Sequence, residues 1–364
     1  MGNKIRNINS RGFSMVEKIE KVLVTGCDGY IGSVLTPYLI NHGFPVIGLD
    51  TGFYRDGLLF NDSKTNKRFP IIINKDTRLI DEKDLEGIDA IVHMAELSND
   101  PLGENNPNVT YEINYHASVR LAKLAKKMGI SRFIYTSSCS VYGCSDSEVM
   151  NEESPTSPQT LYAECKVLVE RELNKLADQK FSPVCLRNAT VHGVSPRIRF
   201  DVVLNNLAGL AWTTKMITMT SDGSPWRPLV HINDVCNAIK ICLTTTKETI
   251  HNQIFNVGHN NDNYQIKEIG SLIQNTFTDC KVTFGNSSSD NRSYRVNFDK
   301  IHNCLPEFSC QWDARKGVEQ LYELFKRIQL SDQTFTSRFF TRLNNIKYLL
   351  ATKQIDDHFF WSDK

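Results

Sequence analysis

A doubly wound α/β sheet is the fold this sequence predicts, and three observations carry the prediction. Apolar, strand-length runs alternate with helical stretches from Lys21 to about Asn188, the pattern of a parallel sheet with helices on both faces. The first run leads at once into a glycine-rich turn, Thr25-Gly26-Cys27-Asp28-Gly29-Tyr30-Ile31-Gly32. After Asn188 the alternation loosens. A smaller C-terminal lobe is therefore expected across the C-terminal ends of the strands, the edge where open α/β sheets bind ligands.

Lys21–Thr25 reads as the first buried strand. The helix after it, Tyr30–Asn41, ends at His42-Gly43, with Gly43 as its C-cap. Pro45–Asp50, Ile71–Ile73, Ala90–Met94, Arg132–Thr136 and Pro183–Arg187 supply the remaining strands, and a polar loop spans about 52–68. Asn114–Met128 reads as an amphipathic helix closed by Gly129, and Leu161–Asp178 as another. Helical pieces follow at Asn233–Leu243, Ile266–Thr276 and Gly317–Ile328. Beyond Ser331, Phe335, Phe339, Phe340, Leu343, Ile346, Leu349 and Leu350 recur at roughly helical spacing. They predict a helical extension packed on the body or on a partner subunit. The expected organisation is a leader over 1–18 and a dinucleotide-binding domain over 19–190, with returning segments from about 230–260. A substrate lobe mainly over 191–330 and an extension over 331–364 complete it.

The 364 residues are 40% apolar and 23% charged with a net charge of +1, ordinary values for a chain with a normal core. No basic stripe points to nucleic acid. The longest apolar stretches are strand-length, too short for a membrane span. The 10 cysteines are scattered without CxxC or paired metal-ligand spacing. Reduced thiols in the cytoplasm are the expected setting, and no metal is expected.

The glycine turn suits a dinucleotide. Gly26 permits a tight turn, Gly29 lets the backbone approach a pyrophosphate, and Gly32 lets the helix pack closely on the strand. Tyr30 and Ile31 stand at the helix start, whose free N–H groups favour phosphate. Asp50 ends the second strand, 18 residues after Gly32, where a carboxylate accepts both ribose hydroxyls and repels a 2′-phosphate. NAD is thus favoured over NADP, with Arg55 close by. Asp76, after the third strand, is placed to reach an adenine amine or to serve as a loop aspartate.

Tyr162 and Lys166 are four apart on a helix and share a face. An ammonium beside a phenol favours phenolate, so Tyr162 suits the general base for a substrate hydroxyl. Ser138, at the end of a strand, is placed to hydrogen-bond the same oxygen. The plain alternative, a surface Tyr–Lys pair, leaves Ser138 unexplained. His93 lies on a buried strand without a companion histidine at ligand spacing and reads as a packed residue. Cys139 and Cys165 read as small buried residues.

With Val24-Thr25-Gly26 through Gly32, Val92-His93-Met94-Ala95, Asn114, Thr136–Gly143, Tyr162–Lys166, Arg227–Asp234 and Phe255–Gly258, the chain resembles the extended short-chain dehydrogenase/reductases over about residues 20–330. It is most similar to their nucleotide-sugar epimerases. The resemblance implies a Rossmann fold, bound NAD and a nucleotide-diphosphate sugar substrate epimerised at C4 through a 4-keto sugar. The alternatives are C4 oxidation or reduction with exchangeable cofactor and, in another class, a non-catalytic NAD-binding module. It assigns Tyr162 as base, Ser138 as holder of the reacting oxygen and Lys166 as ligand of the nicotinamide ribose. It places Met94, Ala95 and Asn114 along the cofactor, Asn206, Arg227 and Arg292 at the diphosphate, and Thr190 near the sugar. It implies a homodimer through the helices Asn114–Met128 and Leu161–Asp178.

Three departures stand out. Cys139-Ser140 occupies the place where the family's dehydratases carry an acidic pair and its decarboxylases a glutamate. Asn188-Ala189-Thr190 stands where the galactose 4-epimerases have Tyr-Phe-Asn, which alters the sugar contacts. Glu96 follows Ala95 where the family has a small residue. It either faces the reaction centre or is a surface loop acid.

Overall fold

The computed structural model describes residues 19–61, 70–98, 106–285 and 292–362. The expected leader lies outside the described residues. In chain order the strands are β1 (Val22–Thr25), β2 (Val46–Asp50), β3 (Ile71–Asn74), β4 (Ala90–His93), β5 (Arg132–Ser138), β6 (Cys144–Met150), β7 (Ser182–Asn188), β8 (Thr190–His192), β9 (Met216–Thr218), β10 (Trp226–His231), β11 (Gln253–Val257), β12 (Asn263–Gln265), β13 (Lys281–Thr283) and β14 (Ser293–Val296). The longer helices are α1 (Gly32–Asn41), α2 (Ser118–Lys127), α3 (Leu161–Leu176), α4 (Val203–Thr214), α5 (Ile232–Thr244), α6 (Ile266–Thr276), α7 (Ala314–Ile328) and α8 (Arg342–Ala351).

Seven strands form a central sheet in the order β11-β7-β5-β4-β1-β2-β3, and every neighbouring pair in it is parallel. The chain runs outward from β1 through β2 to β3, then returns to the other side of β1 with β4. The order therefore reverses between β1 and β4, and the crevice beyond their C-terminal ends is the expected ligand site.

The strand period of two explains why both faces are covered. Val22 and Val24 point to one face, where they pack with Leu35 and Leu39 of α1 and with Val235 and Ile239 of α5. Leu23 points to the other face and joins Phe133, Leu121 of α2 and Val169 of α3. A third core gathers Leu204 and Leu207 of α4, Ile273 of α6 and Leu321 and Phe325 of α7 with Phe335 and Phe340. A fourth joins Phe53, Leu97, Val109 and Ile113 to Ile346, Leu349, Ile355 and Phe359. The residues after Ser331 are thus packed on the body of the same chain.

One helix differs in kind from the expected Asn114–Met128. Asn106 caps a short turn at Pro107–Thr110 by accepting the Val109 N–H at 3.3 Å. The chain then winds as a π-helix over Tyr111–Ala117 before α2 begins. Such π turns are uncommon and recur at functional sites.

Candidate active site

A cavity of about 600 Å³ opens at the switch point. The glycine turn, the end of β2, the turn after β4, the end of β5 and the start of α3 line one part of it. Asn206, Arg227 and Arg292 line another.

The cofactor end is built by backbone shape. Gly26 has φ +75°, in the region that favours glycine. A Cβ on Gly32 would stand 2.1 Å from the Gly26 carbonyl oxygen, so this position takes no side chain. No side chain caps the start of α1, which leaves that end suited to phosphate. The Thr25 hydroxyl accepts the Met94 and Ala95 N–H groups at 3.1 and 3.2 Å, which draws the turn after β4 against β1.

Asp50 holds its loop by accepting the Asp28 N–H at 3.0 Å and the Gly52 N–H at 2.8 Å. Burial pushes its carboxyl up to about 6. Arg55 is committed elsewhere, since its Nε donates to Asp28 Oδ2 at 2.8 Å. Asp76 lines the cavity, but Arg78 donates to both of its carboxylate oxygens, at 3.0 and 2.8 Å. Glycines without room for side chains, an uncapped helix start and a carboxylate at the end of β2 together fit NAD.

Asn114 corrects an expectation. It does not line the cavity. It is fully buried, accepts the Leu97 N–H at 2.8 Å and donates to the Leu97 carbonyl at 3.0 Å. The π turn directs its amide at the chain after β4, and Ile113 lines the cavity in its place.

The reactive end depends on one cap. Thr160 accepts the Ala163 N–H at 3.3 Å and starts α3, so Tyr162 lies in the first turn and Lys166 one turn on. Ser138, the last residue of β5, accepts the Ser140 N–H at 3.1 Å and faces the same cavity as Tyr162. Lys166 is 3% exposed, and its Nζ is 2.7 Å from Glu96 Oε2. It also donates to the Thr136 carbonyl at 2.5 Å. The Tyr135 hydroxyl donates to Glu96 Oε1 at 2.6 Å.

Glu96 is therefore no surface loop acid, because its side chain is 1% exposed. Burial raises its carboxyl above the ordinary range, against the pull of Lys166. Burial pulls Lys166 down, but Glu96 and then Tyr162 outweigh it, and the ammonium ends above its ordinary value. His93 is a packed residue, bonded at 2.7 Å to the Thr25 hydroxyl and at 2.8 Å to the Ser118 hydroxyl. Burial holds it at about 3, hence neutral.

Farther along, Arg227 donates to the Trp226 carbonyl at 2.9 Å and to the Arg292 carbonyl. Asn206 donates to the Phe200 carbonyl at 2.8 Å. Thr190 lines the cavity from β8. Asn188 Oδ1 and Ser140 Oγ are buried at the wall without a protein partner, two polar atoms suited to ligand groups. Sequence reasoning missed Arg199 and Arg342. Arg199 donates to Asp201 at 2.8 Å and to the Ser98 carbonyl at 3.1 Å. Arg342 comes from the extension and lies 4.1 Å from the Tyr54 ring centroid. The charged run Arg197–Asp201 carried a signal for the first, and nothing local marked the second.

The NAD-dependent epimerase/dehydratase family model matches residues 22–258. The chain belongs to this family. Among curated relatives it is 27% identical over 276 residues to the UDP-glucose 4-epimerase of Corynebacterium glutamicum, covering 70% of this chain and 79% of that protein. It is 25% identical to the human dTDP-D-glucose 4,6-dehydratase, covering 84% of this chain and 90% of that protein. The solved UDP-glucuronic acid 4-epimerase of Bacillus cereus, in complex with UDP-glucuronic acid and NAD, superposes with a TM-score of 0.72 at 25% identity, covering 85% of this family member and 99% of that chain. Family membership makes this chain an NAD-dependent enzyme.

Proposed function

We propose that this enzyme epimerises a nucleotide-diphosphate sugar at C4 through a transient 4-keto sugar. The observation that carries the reading is the convergence of Ser138, Tyr162 and Lys166 on one cavity with the glycine turn and Asp50. NAD supplies a hydride acceptor and donor when bound. Tyr162 takes the proton of the sugar C4 hydroxyl and returns it when the opposite face is reduced. Ser138 orients that oxygen, and Lys166 keeps the phenol acidic. Arg227 and Arg292 are the candidates for the diphosphate, since an arginine fork matches phosphate oxygens. Asn206 and Thr190 are candidates for the rest of the substrate, with Asn188 Oδ1 and Ser140 Oγ free to meet sugar hydroxyls.

The place where the resemblance puts the dehydratases' acidic pair holds Cys139 and Ser140, so that pair is missing here. Burial keeps the Cys139 thiol protonated. The UDP-glucose and UDP-glucuronic acid 4-epimerase relatives support C4 chemistry. The competing reading is a C4 dehydrogenase or ketoreductase, which uses the same residues. We further propose a cytoplasmic homodimer that pairs through α2, α3 and the π turn, where Tyr111, Tyr115 and Leu168 remain partly exposed. All ten cysteines are unbridged, in keeping with a reducing compartment. Among the described residues no helix is long and apolar enough to cross a membrane.

The test is an NMR time course with UDP-, dTDP-, GDP- and CDP-sugars and catalytic NAD. An epimer formed in excess over cofactor, without net reduced nicotinamide, establishes epimerisation. Product in proportion to nicotinamide reduced makes the enzyme a dehydrogenase. Tyr162→Phe is expected to cut turnover by about 10²–10⁴-fold while leaving NAD binding nearly intact.

A further inference from the structure

Lys166 is not held as a lone ammonium. Its Nζ donates to the Thr136 carbonyl and stands 2.7 Å from Glu96 Oε2 as an ion pair. Lys166 Nζ lies 5.4 Å from the Tyr162 ring centroid, so whatever charge it carries is felt at the phenol. Glu96 stands 2.7 Å from that charge in a buried site, where solvent screens little. The Tyr135 hydroxyl secures the other carboxylate oxygen, which fixes Glu96 in place.

The surrounding groups leave this pair as the adjustable charge. From β4, His93 is neutral. From β5, burial keeps the Tyr135 phenol protonated. From α3, the Cys165 thiol is pushed up to about 12 by burial, and Glu170 is tied to Arg187 at 2.6 Å. From β7, burial likewise keeps the Cys185 thiol protonated. From the chain after β8, Arg199 is offset by Asp201.

We propose that Glu96 is a positioning residue of the reaction centre, which anchors Lys166 and offsets its charge, and so sets the pH at which Tyr162 ionises. The inference rests on the reading of Tyr162 as the base. It adds that this base is tuned upward, toward a higher working pH, by an acid that the Ala95-Glu96 sequence places in the turn after β4.

The experiment reads Tyr162 directly and needs no substrate. The phenolate absorbance of each NAD-bound protein is titrated against the same protein carrying Tyr162→Phe, and the difference gives the Tyr162 midpoint. Glu96→Gln leaves the ammonium unopposed, and the midpoint is expected to fall by about one pH unit. Tyr135→Phe keeps the carboxylate and is expected to leave the midpoint in place. The double variant Glu96→Gln/Lys166→Met removes both charges together, which a buried pair tolerates better than loss of one. Its midpoint is expected to lie above that of Glu96→Gln and no more than about one unit above the wild type. A Glu96→Gln midpoint that is unchanged or raised overturns the proposal. So does a double-variant midpoint raised by more than about one unit, because Lys166 would then act unopposed in the wild type. A normal titration result alongside a sugar panel with no turnover would instead refute the epimerase reading and leave the charge coupling standing.

Discussion

At the residue scale, Asp50 pays for its position in the ligand-free protein. Its carboxyl is held at about 6 by burial, above its unfolded value. The stability it contributes is therefore present in acid and is lost as pH rises through about 6. Ribose hydroxyls donating to the ionised form offset that loss. NAD is thus expected to raise the Tm of stripped protein more at about pH 7.5 than at about pH 5.5, and Asp50→Asn is expected to abolish the difference. Differential scanning fluorimetry of both proteins at the two pH values checks it. Gly32 carries a second prediction. A Cβ there collides with backbone at 2.1 Å, not with a side chain that can swing away. Gly32→Ala is expected to cost about 1–3 kcal/mol and to remove NAD binding, as denaturant melts and calorimetry would show.

At the element scale, the residues after Ser331 do more than fill a groove. Asn345 donates to the Phe53 carbonyl at 2.6 Å, and Trp361 donates to the Thr51 carbonyl at 2.7 Å. Arg78, which holds Asp76, donates to the His358 carbonyl at 2.8 Å and lies 3.7 Å from the Phe360 ring centroid. Asn106 donates to the Asp357 carbonyl at 3.0 Å. The segment therefore ties down the loops after β2 and β3 and the Asn106 cap of the short turn that precedes the π-helical segment. Removing residues 353–364 takes away these partners of Thr51, Arg78 and Asn106, together with Ile355 and Phe359 of the fourth core. NAD release is expected to quicken by about tenfold, near 1.4 kcal/mol, in stopped-flow or filter-retention measurements. The helical spacing of the tail was legible in the sequence. Its docking was not, because phenylalanines at that spacing suit any apolar surface. The π turn was illegible for a related reason: Tyr111–Ala117 has the composition of an ordinary amphipathic helix, and only its packing shifts the winding.

At the scale of the whole molecule, the 41.4 kDa chain is expected to pair. Light scattering at micromolar concentration should give twice that mass, and a monomer would sink the proposed pairing through α2 and α3. The sheet order is what makes the site a single object. It sets the glycine turn beside the turn after β4, and the end of β5 beside the start of α3. The three-stranded sheet β12-β10-β8 and the pair β14-β6 then bring Arg227 and Arg292 over the same crevice, with the Arg227 guanidinium 6.0 Å from the Tyr294 ring centroid.

The sequence by itself determined what depends on short range and on period. Continuous apolar runs of strand length marked strands buried on both faces. Glycines three apart required the close turn, and residues four apart placed Tyr162 and Lys166 on one face of α3. The tertiary structure alone decided which distant groups meet. Glu96 and Lys166 are brought together because β4 lies beside β5 and Lys166 reaches across from α3 to the Thr136 carbonyl of β5. Arg342 reaches the cavity only because the extension folds back. Asn114, expected along the cofactor, serves the backbone at Leu97 instead. Periodicity specifies the face a side chain occupies, whereas its partner across the fold depends on strand order and packing, which no local window contains.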